Sequence, residues 1–368
     1  DSMKNRSWLV VLLPGVAAAA SVAAATADWN VSRSPSLLIP RAAHQATLLG
    51  PTELLLTGGC SGAGCSPVES SAEIYDLETG RTTPTRPMRE RRVAHVAARL
   101  PDGRVLVAGG WTGVATTSSA EVFDPRRGAF SPVGALATPR MDATATPLSD
   151  GSILVVGGAS ATNRPVARAE IFSAQDLAFR PAASLLEARA HHAALRLADG
   201  RVLVVGGLQA RNVASRSAEI YDPRRNRFER TGSMLRPRCK HAAVLLEDGR
   251  VLVLGGSTDC DDRNRLAETE LYDPRTGVFS PGPRLLNPRY KIVAAATVLP
   301  TGEVVVAGDA EDVEIWTPGD RDFAKAGGGV GGRLAFSAAT ALPNGEVLVT
   351  GGYDDEVRPR PDVWRIRR

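Results

Sequence analysis

Short apolar runs recur along the chain, each closed by a glycine pair. Arg201-Val202-Leu203-Val204-Val205 leads into Gly206-Gly207. The same arrangement ends at Gly58-Gly59, Gly109-Gly110, Gly157-Gly158, Gly255-Gly256 and Gly351-Gly352, with Gly308-Asp309 as a degenerate copy. The steps between them are 51, 48, 49, 49, 53 and 43 residues. A β-branched run of this length reads as a strand. Each run but the first follows a tight-turn dipeptide: Asp102-Gly103, Asp150-Gly151, Asp199-Gly200, Asp248-Gly249, Thr301-Gly302 or Asn344-Gly345. Asp-Gly and Asn-Gly supply the positive φ angles of a two-residue hairpin. After each glycine pair a variable loop leads to a third strand, such as Glu219-Ile220-Tyr221-Asp222 or Glu270-Leu271-Tyr272-Asp273. A turn such as Asp273-Pro274-Arg275-Thr276-Gly277 then opens a fourth strand, which usually begins at a phenylalanine: Phe130, Phe179, Phe228, Phe279 or Phe323.

Each unit is therefore a four-stranded antiparallel meander of about 50 residues, written seven times. One such sheet cannot bury both faces alone, and stacking the sheets radially does so. The pattern predicts an all-β fold, a seven-bladed β-propeller spanning residues 28–368. The glycine pairs, the Glu-x-Tyr-Asp strands and the period together resemble kelch repeats. The last copy stops at its third strand, Trp364-Arg365-Ile366-Arg367. The stretch Asp28-Trp29-Asn30-Val31 leading to Leu37-Leu38-Ile39-Pro40-Arg41 matches Val278-Phe279-Ser280 leading to Leu285-Leu286-Asn287-Pro288-Arg289. The N-terminal strand is thus expected to complete the last blade and close the ring, which leaves no open edge.

Residues 1–27 read differently. Lys4 and Arg6 precede an apolar stretch from Trp8 to about Ala25, and Ala25-Thr26-Ala27 offers a small-x-small cleavage site. This reads as a signal peptide cut after Ala27. An uncleaved anchor is the alternative, which the alanine richness and Pro14-Gly15 disfavour. The expected location is secreted or periplasmic, with no membrane association after cleavage. Four cysteines then read as disulfides in an exported chain. The expected pairs are Cys60–Cys65 and Cys239–Cys260.

Composition narrows the function only slightly. The net charge is +4, and the basic residues are spread along the chain, so no nucleic-acid footprint is expected. The chain is expected to act as a monomer. Loops on a rigid scaffold carry binding most often, which directs attention to the face bearing the blade links and the loops after each glycine pair. An arginine enters every blade there: Arg41, Arg92, Arg140, Arg189, Arg238, Arg289 and Arg333. The third strands carry seven carboxylates, Glu73, Glu121, Glu170, Glu219, Glu270, Glu314 and Asp362. One structural ion pair per blade is the favoured reading, and an anion-binding ring at the channel mouth is the other. His44, His95, His192 and His241 fall three residues after the arginine, where kelch repeats use a packing histidine. Ala143, Ile292 and Phe336 are read as their counterparts.

The residues that break the repeat are the candidates for binding: His191, Lys240, Tyr290 and Lys291, taken with Arg238 and Arg289. Trp111 and Tyr353, each directly after a glycine pair, are candidates to stack on a sugar or to cover a blade end. Acidic loops at Asp259, Asp261 and Asp262, at Asp309, Glu311 and Asp312, and at Asp354, Asp355 and Glu356 suggest Ca²⁺ weakly, because no fixed ligand spacing is present. No other metal or cofactor is indicated. The propeller is also similar to that of copper-radical galactose oxidases, but the Tyr-His pair and the Tyr for a Cys crosslink that such chemistry implies are missing. A kelch propeller that interconverts sialic-acid anomers is a second enzymatic resemblance. The expected role is binding of a protein or a carbohydrate at the Arg-lined mouth, without catalysis. The alternative is a mutarotase- or lyase-like enzyme acting on an acidic sugar or small metabolite at the same place.

Overall fold

The computed structural model describes residues 29–210 and 213–368. The expected signal peptide lies outside the described residues. Five four-stranded antiparallel sheets, one eight-stranded sheet and a two-stranded ribbon of Leu208–Gln209 with Val213–Ala214 make up the architecture of the described residues. Blade 1 is built from Gln45–Leu48, Glu53–Thr57, Ala72–Asp76 and Thr82–Pro84, and the next four follow the same meander. Blade 7 comprises Ala338–Ala341, Val347–Thr350 and Val363–Arg367, completed by Asn30–Ser34. Asn30 pairs with Arg367 and Ser34 with Val363, so the N-terminal strand closes the ring as expected.

The eight-stranded sheet is blades 6 and 7 joined. Asn30 also bridges in parallel to Gly327, in the outer strand Ala324–Gly329 of blade 6. The repeat does not foretell this link. It depends on a bare backbone edge: a Cβ on Gly327 would stand 2.8 Å from the Trp29 carbonyl oxygen.

Second strands such as Val202–Val205 and Val251–Leu254 are buried at every position. They lie between two neighbouring blades, which explains why their sequences are continuously apolar rather than alternating. Between blades 4 and 5, for example, Leu203, Val205 and Ile220 pack with Val251, Val253 and Tyr272. Farther out, the third-strand aromatic meets the fourth-strand phenylalanine. The Tyr272–Phe279 and Tyr221–Phe228 ring centroids lie 4.7 and 4.8 Å apart. Such cross-strand pairs fix the register of the outer strands.

The glycine pair is the joint between blades. Gly206 has φ +64°, and a Cβ there would lie 2.6 Å from Cε1 of His241 and 2.7 Å from the Arg238 carbonyl oxygen. The Gly207 N–H donates to that same carbonyl at 2.9 Å. The ring closes identically, with the Gly352 N–H donating to the Arg41 carbonyl at 2.8 Å.

Candidate functional site

Six of the seven repeated arginines are structural. Arg41, Arg92, Arg140, Arg189, Arg238 and Arg289 are almost wholly buried. Their guanidiniums pair with Glu73, Glu121, Glu170, Glu219, Glu270 and Glu314 at 2.5–2.9 Å. Each also donates to the carbonyl of the first glycine of its blade, for example Arg238 Nη1 to the Gly255 oxygen at 2.8 Å. The glutamate in turn accepts the N–H of a link residue, as Glu270 does from Leu235 at 2.6 Å. Arg238 and Arg289 therefore face inward, and these six arginines do not line the channel mouth.

Blade 7 departs from the expected register. Leu334 stands where the other blades have the arginine, because its carbonyl accepts the Asp309 N–H at 3.0 Å in the manner of the other joints. Ser337, not Phe336, is the counterpart of the packing histidines. Arg333 sits one residue earlier and projects to the loop face, where it pairs with Asp309 at 2.5 Å, Asp262 at 2.8 Å and Asp355 at 3.3 Å.

The four in-register histidines are buried between blades. Nε2 of His44 bonds Thr350 Oγ1, and Nε2 of His95 bonds Thr57 Oγ1, each at 2.9 Å. Burial, with the Arg41 charge beside it, lowers His44 to about 3. Burial and Arg238 do the same to His241, also to about 3. These imidazoles are neutral packing groups, each filling the space left by a glycine of the preceding blade.

Two residues after the arginine position the chain turns into the left-handed region. Ala43, Ala94, Asp142, His191, Lys240, Lys291 and Phe336 all have φ between +50° and +58°. Their backbones form a hydrogen-bonded circle around the axis. Ala94 donates to Ala43, Asp142 to Ala94 at 2.9 Å, and His191 to Asp142. Lys240 donates to His191 at 3.0 Å, Phe336 to Lys291 at 3.0 Å, and Ala43 to Phe336 at 3.1 Å. In the remaining step Ile292 donates to Lys240 at 3.1 Å. This conformation costs a non-glycine residue on the order of 1 kcal/mol. The repeat holds the backbone constant at this circle while the side chains vary.

The variation is not random around the mouth. Blades 3 to 6 supply a polar arc. His191 Nδ1 lies 3.3 Å from Asp142 Oδ1, and Lys291 Nζ lies 3.1 Å from Asp262 Oδ2. Tyr290, 1% exposed, donates its hydroxyl to the Cys260 carbonyl and lies under both lysines. Lys240 Nζ and Lys291 Nζ each stand 5.3 Å from its ring centroid. Blades 7, 1 and 2 supply an apolar arc: Phe336 and Tyr353, with centroids 5.8 Å apart, pack in one cluster with half-buried Trp111 and the Cys60 loop.

Electrostatics follow from this crowding. Burial pushes the Lys240 amine below the ordinary lysine range, with Asp142 opposing and Lys291 assisting. Burial disfavours charge on Asp142, yet His191 and Lys240 hold its carboxyl below the usual range. Burial raises the Tyr290 hydroxyl, and the Asp262 charge adds to this.

A channel cavity of about 260 Å³ runs down the axis, lined by circle residues including Asp142, His191 and Phe336 and by the first strands. A second, of about 280 Å³, opens on the loop face between Asn163, His191, Leu208, Lys240, Asp259 and Cys260. His191 borders both.

Both expected disulfides form: Cys60–Cys65 and Cys239–Cys260, with Cα atoms 5.0 and 5.6 Å apart. The second ties the blade-5 loop to the residue preceding Lys240. The acidic loops do not assemble a cation site. Among the described residues no three His, Cys, Asp or Glu side chains are placed to hold a metal, and Asp262 and Asp309 are instead paired with Lys291, Arg265 and Arg333.

The structure thus gathers His191, Lys240, Tyr290, Lys291, Trp111 and Tyr353 at the mouth and withdraws Arg238 and Arg289 from it. Sequence reasoning missed Asp142 and Phe336 as mouth residues. The signal was available in their position, two residues after the arginine or its counterpart, had that register been followed instead of the next one. The Kelch motif family matches residues 92–136 and 189–235, which begin at Arg92 and Arg189 and each include a glycine pair and a third strand. A search of curated proteins finds no match to the chain.

Proposed function

Because the chain is a kelch-repeat β-propeller, we propose that it is an exported recognition module that docks a protein partner on its loop face. One observation carries the reading. The repeat keeps an energetically unfavourable backbone at seven mouth positions, yet four adjacent blades place Asp142, His191, Lys240 and Lys291 there. Packing alone is served by alanine, as at Ala43 and Ala94.

A second feature favours a protein over a glycan. The links that cross the same face expose a leucine at one register: Leu38, Leu186, Leu235 and Leu286 are 53–55% exposed. An apolar rim around a polar centre suits a protein surface, in which buried apolar contacts supply affinity and polar ones register. Tyr353 is only 9% exposed and so offers little open ring for a sugar. The two disulfides, both on this face, fit an oxidising compartment.

The test compares the two faces. The parent chain, a Leu186→Asp/Leu235→Asp variant and an Arg201→Ala/Arg224→Ala variant on the opposite face serve as baits for the extracellular proteins of the source organism. Captured proteins are quantified by mass spectrometry. A partner kept by the opposite-face variant and lost by the leucine variant supports the proposal. Equal capture by all three, or loss only in the opposite-face variant, refutes it.

A further inference from the structure

We propose that Lys240 anchors a carboxylate at the axial mouth, in the loop-face cavity that it lines together with His191. The neighbouring basic side chains are already engaged. Lys291 has Asp262, Arg333 has Asp309 and Asp262, and His191 has Asp142. Lys240 alone of this group has no carboxylate partner and no hydrogen-bond acceptor among the described residues. Its amine is instead surrounded by aromatic faces, 5.3 Å from the Tyr290 centroid and 5.8 Å from that of Phe336. A mostly buried cation whose nearest carboxylates, Asp142 and Asp262, are committed to other partners is costly to hold, and an anion brought by a ligand lowers that cost.

There is room for the ligand. Lys240 lines the loop-face cavity of about 280 Å³, which holds a small acid or one acidic side chain. The other carboxylate in that lining is not free to compete: Asp259 accepts from Ser257 Oγ at 2.8 Å and from Asn264 Nδ2 at 2.5 Å. The Asp142 carboxyl is turned to His191. Near the amine the cavity wall is apolar at Ala159, Ala190 and Leu208, so the group carrying the carboxylate is apolar where it meets them. The lysine is also held in place, because its N–H is part of the backbone circle and the preceding residue, Cys239, is fixed by a disulfide.

The carboxylate comes either from an acidic side chain of the docked partner or from a small free acid. The first source rests on the docking reading above; the anchoring itself does not. Benzoate and benzamide are suitable probes, since they share size and ring and differ by a negative charge. Each is titrated calorimetrically at pH 7 into the parent chain and into Lys240→Met, Lys240→Arg and Lys325→Met. Lys325 is a half-exposed control, paired with Asp312 in blade 6. The expected result is benzoate binding to the parent and to Lys325→Met, at least tenfold weaker binding to Lys240→Met, partial recovery in Lys240→Arg, and benzamide at least tenfold weaker than benzoate throughout. Equal affinity for the two probes, or an unchanged benzoate affinity in Lys240→Met, overturns the proposal.

A second measurement does not depend on the variants folding. The whole chain has four lysines, Lys4, Lys240, Lys291 and Lys325. After reductive ¹³C-methylation, benzoate should move the Lys240 methyl resonance and leave that of Lys325 in place; movement of neither, or of both equally, counts against the site. Saturating benzoate added to the capture experiment separates the sources. Release of the partner assigns the carboxylate to the partner's side chain, and retention assigns it to a small acid. Lost benzoate discrimination with face-dependent capture intact overturns the site alone. Intact discrimination with capture indifferent to face overturns the docking reading alone.

Discussion

Acidification from pH 7 to pH 5 should weaken the propeller through four histidines packed between the blades. His44, His95, His192 and His241 are neutral and buried between blades. His44 and His241 are lowered to about 3, and His95 and His192 lie well below the ordinary value of 6.5. In the unfolded chain each imidazole takes up a proton as the pH passes 6.5, while in the folded chain it does not until far lower. The unfolded state therefore binds more protons throughout this window, and stability falls as pH falls. At about 1.36 kcal/mol per pH unit, the 1.5 units between 6.5 and 5 cost about 2 kcal/mol each for His44 and His241, and His95 and His192 add in the same direction. The cost is a large part of the stability of an ordinary domain, about 5–15 kcal/mol. The assay is equilibrium unfolding in guanidinium chloride, followed by tryptophan fluorescence at pH 7, 6 and 5 with the disulfides intact. His241→Ile is the internal control, because Ile292 fills the same register in blade 6 against Gly255. It should remove about 2 kcal/mol of the loss between pH 6.5 and 5. A midpoint that does not move between pH 7 and 5, or an unchanged slope in His241→Ile, would refute the reasoning.

Other perturbations test separate parts of the account. Arg289→Ala leaves the buried Glu314 carboxylate without its cation and should cost about 3–5 kcal/mol of unfolding free energy, read from the same denaturation curves. Replacing Cys239 and Cys260 together by serine opens a 21-residue loop and should cost about 3 kcal/mol by the loop-entropy relation, with an unaltered fold by circular dichroism. Deleting residues through Ser34 uncovers the edge of Val363–Arg367 and should yield a chain that self-associates in analytical ultracentrifugation, whereas the parent does not. Gly206→Ala forces a side chain against His241 and the Arg238 carbonyl and should lower the melting temperature by more than Gly249→Ala, whose added Cβ meets nothing.

The blade architecture was legible because each unit repeats the same three signals, a turn dipeptide, a continuously apolar strand and a glycine pair. The closure was legible because the first and last copies are complementary fragments of one unit. The ring of ion pairs was legible where Arg and Glu recur together, as at Arg238 and Glu270. It failed at Arg333, because spacing alone cannot tell a buried guanidinium from one turned to solvent. Blade 7 has Asp362 in place of glutamate, and that shorter carboxylate is taken by Arg33 of the N-terminal strand and by Arg360. The glycine-rich stretch 327–332 before it offers no landmark to set the register. The join between blades 6 and 7 was invisible for a related reason, since it is made by backbone atoms at glycines rather than by a side-chain pattern. His191, Lys240, Tyr290 and Lys291 stood out because they differ from their copies, whereas Asp142 and Phe336 were hidden beside positions that were being followed for another purpose.

The clasp in blade 7 also sets how the molecule responds to load. Asn30–Ser34 and Val363–Arg367 run antiparallel, and the outermost pair, Asn30 with Arg367, joins the residues nearest the two ends of the propeller. A force that draws those ends apart meets the rungs one after another instead of all together. A pull on the two ends therefore unzips the ring from Asn30 inward, one rung at a time. Its weak point under tension is the seam where the circle was sealed.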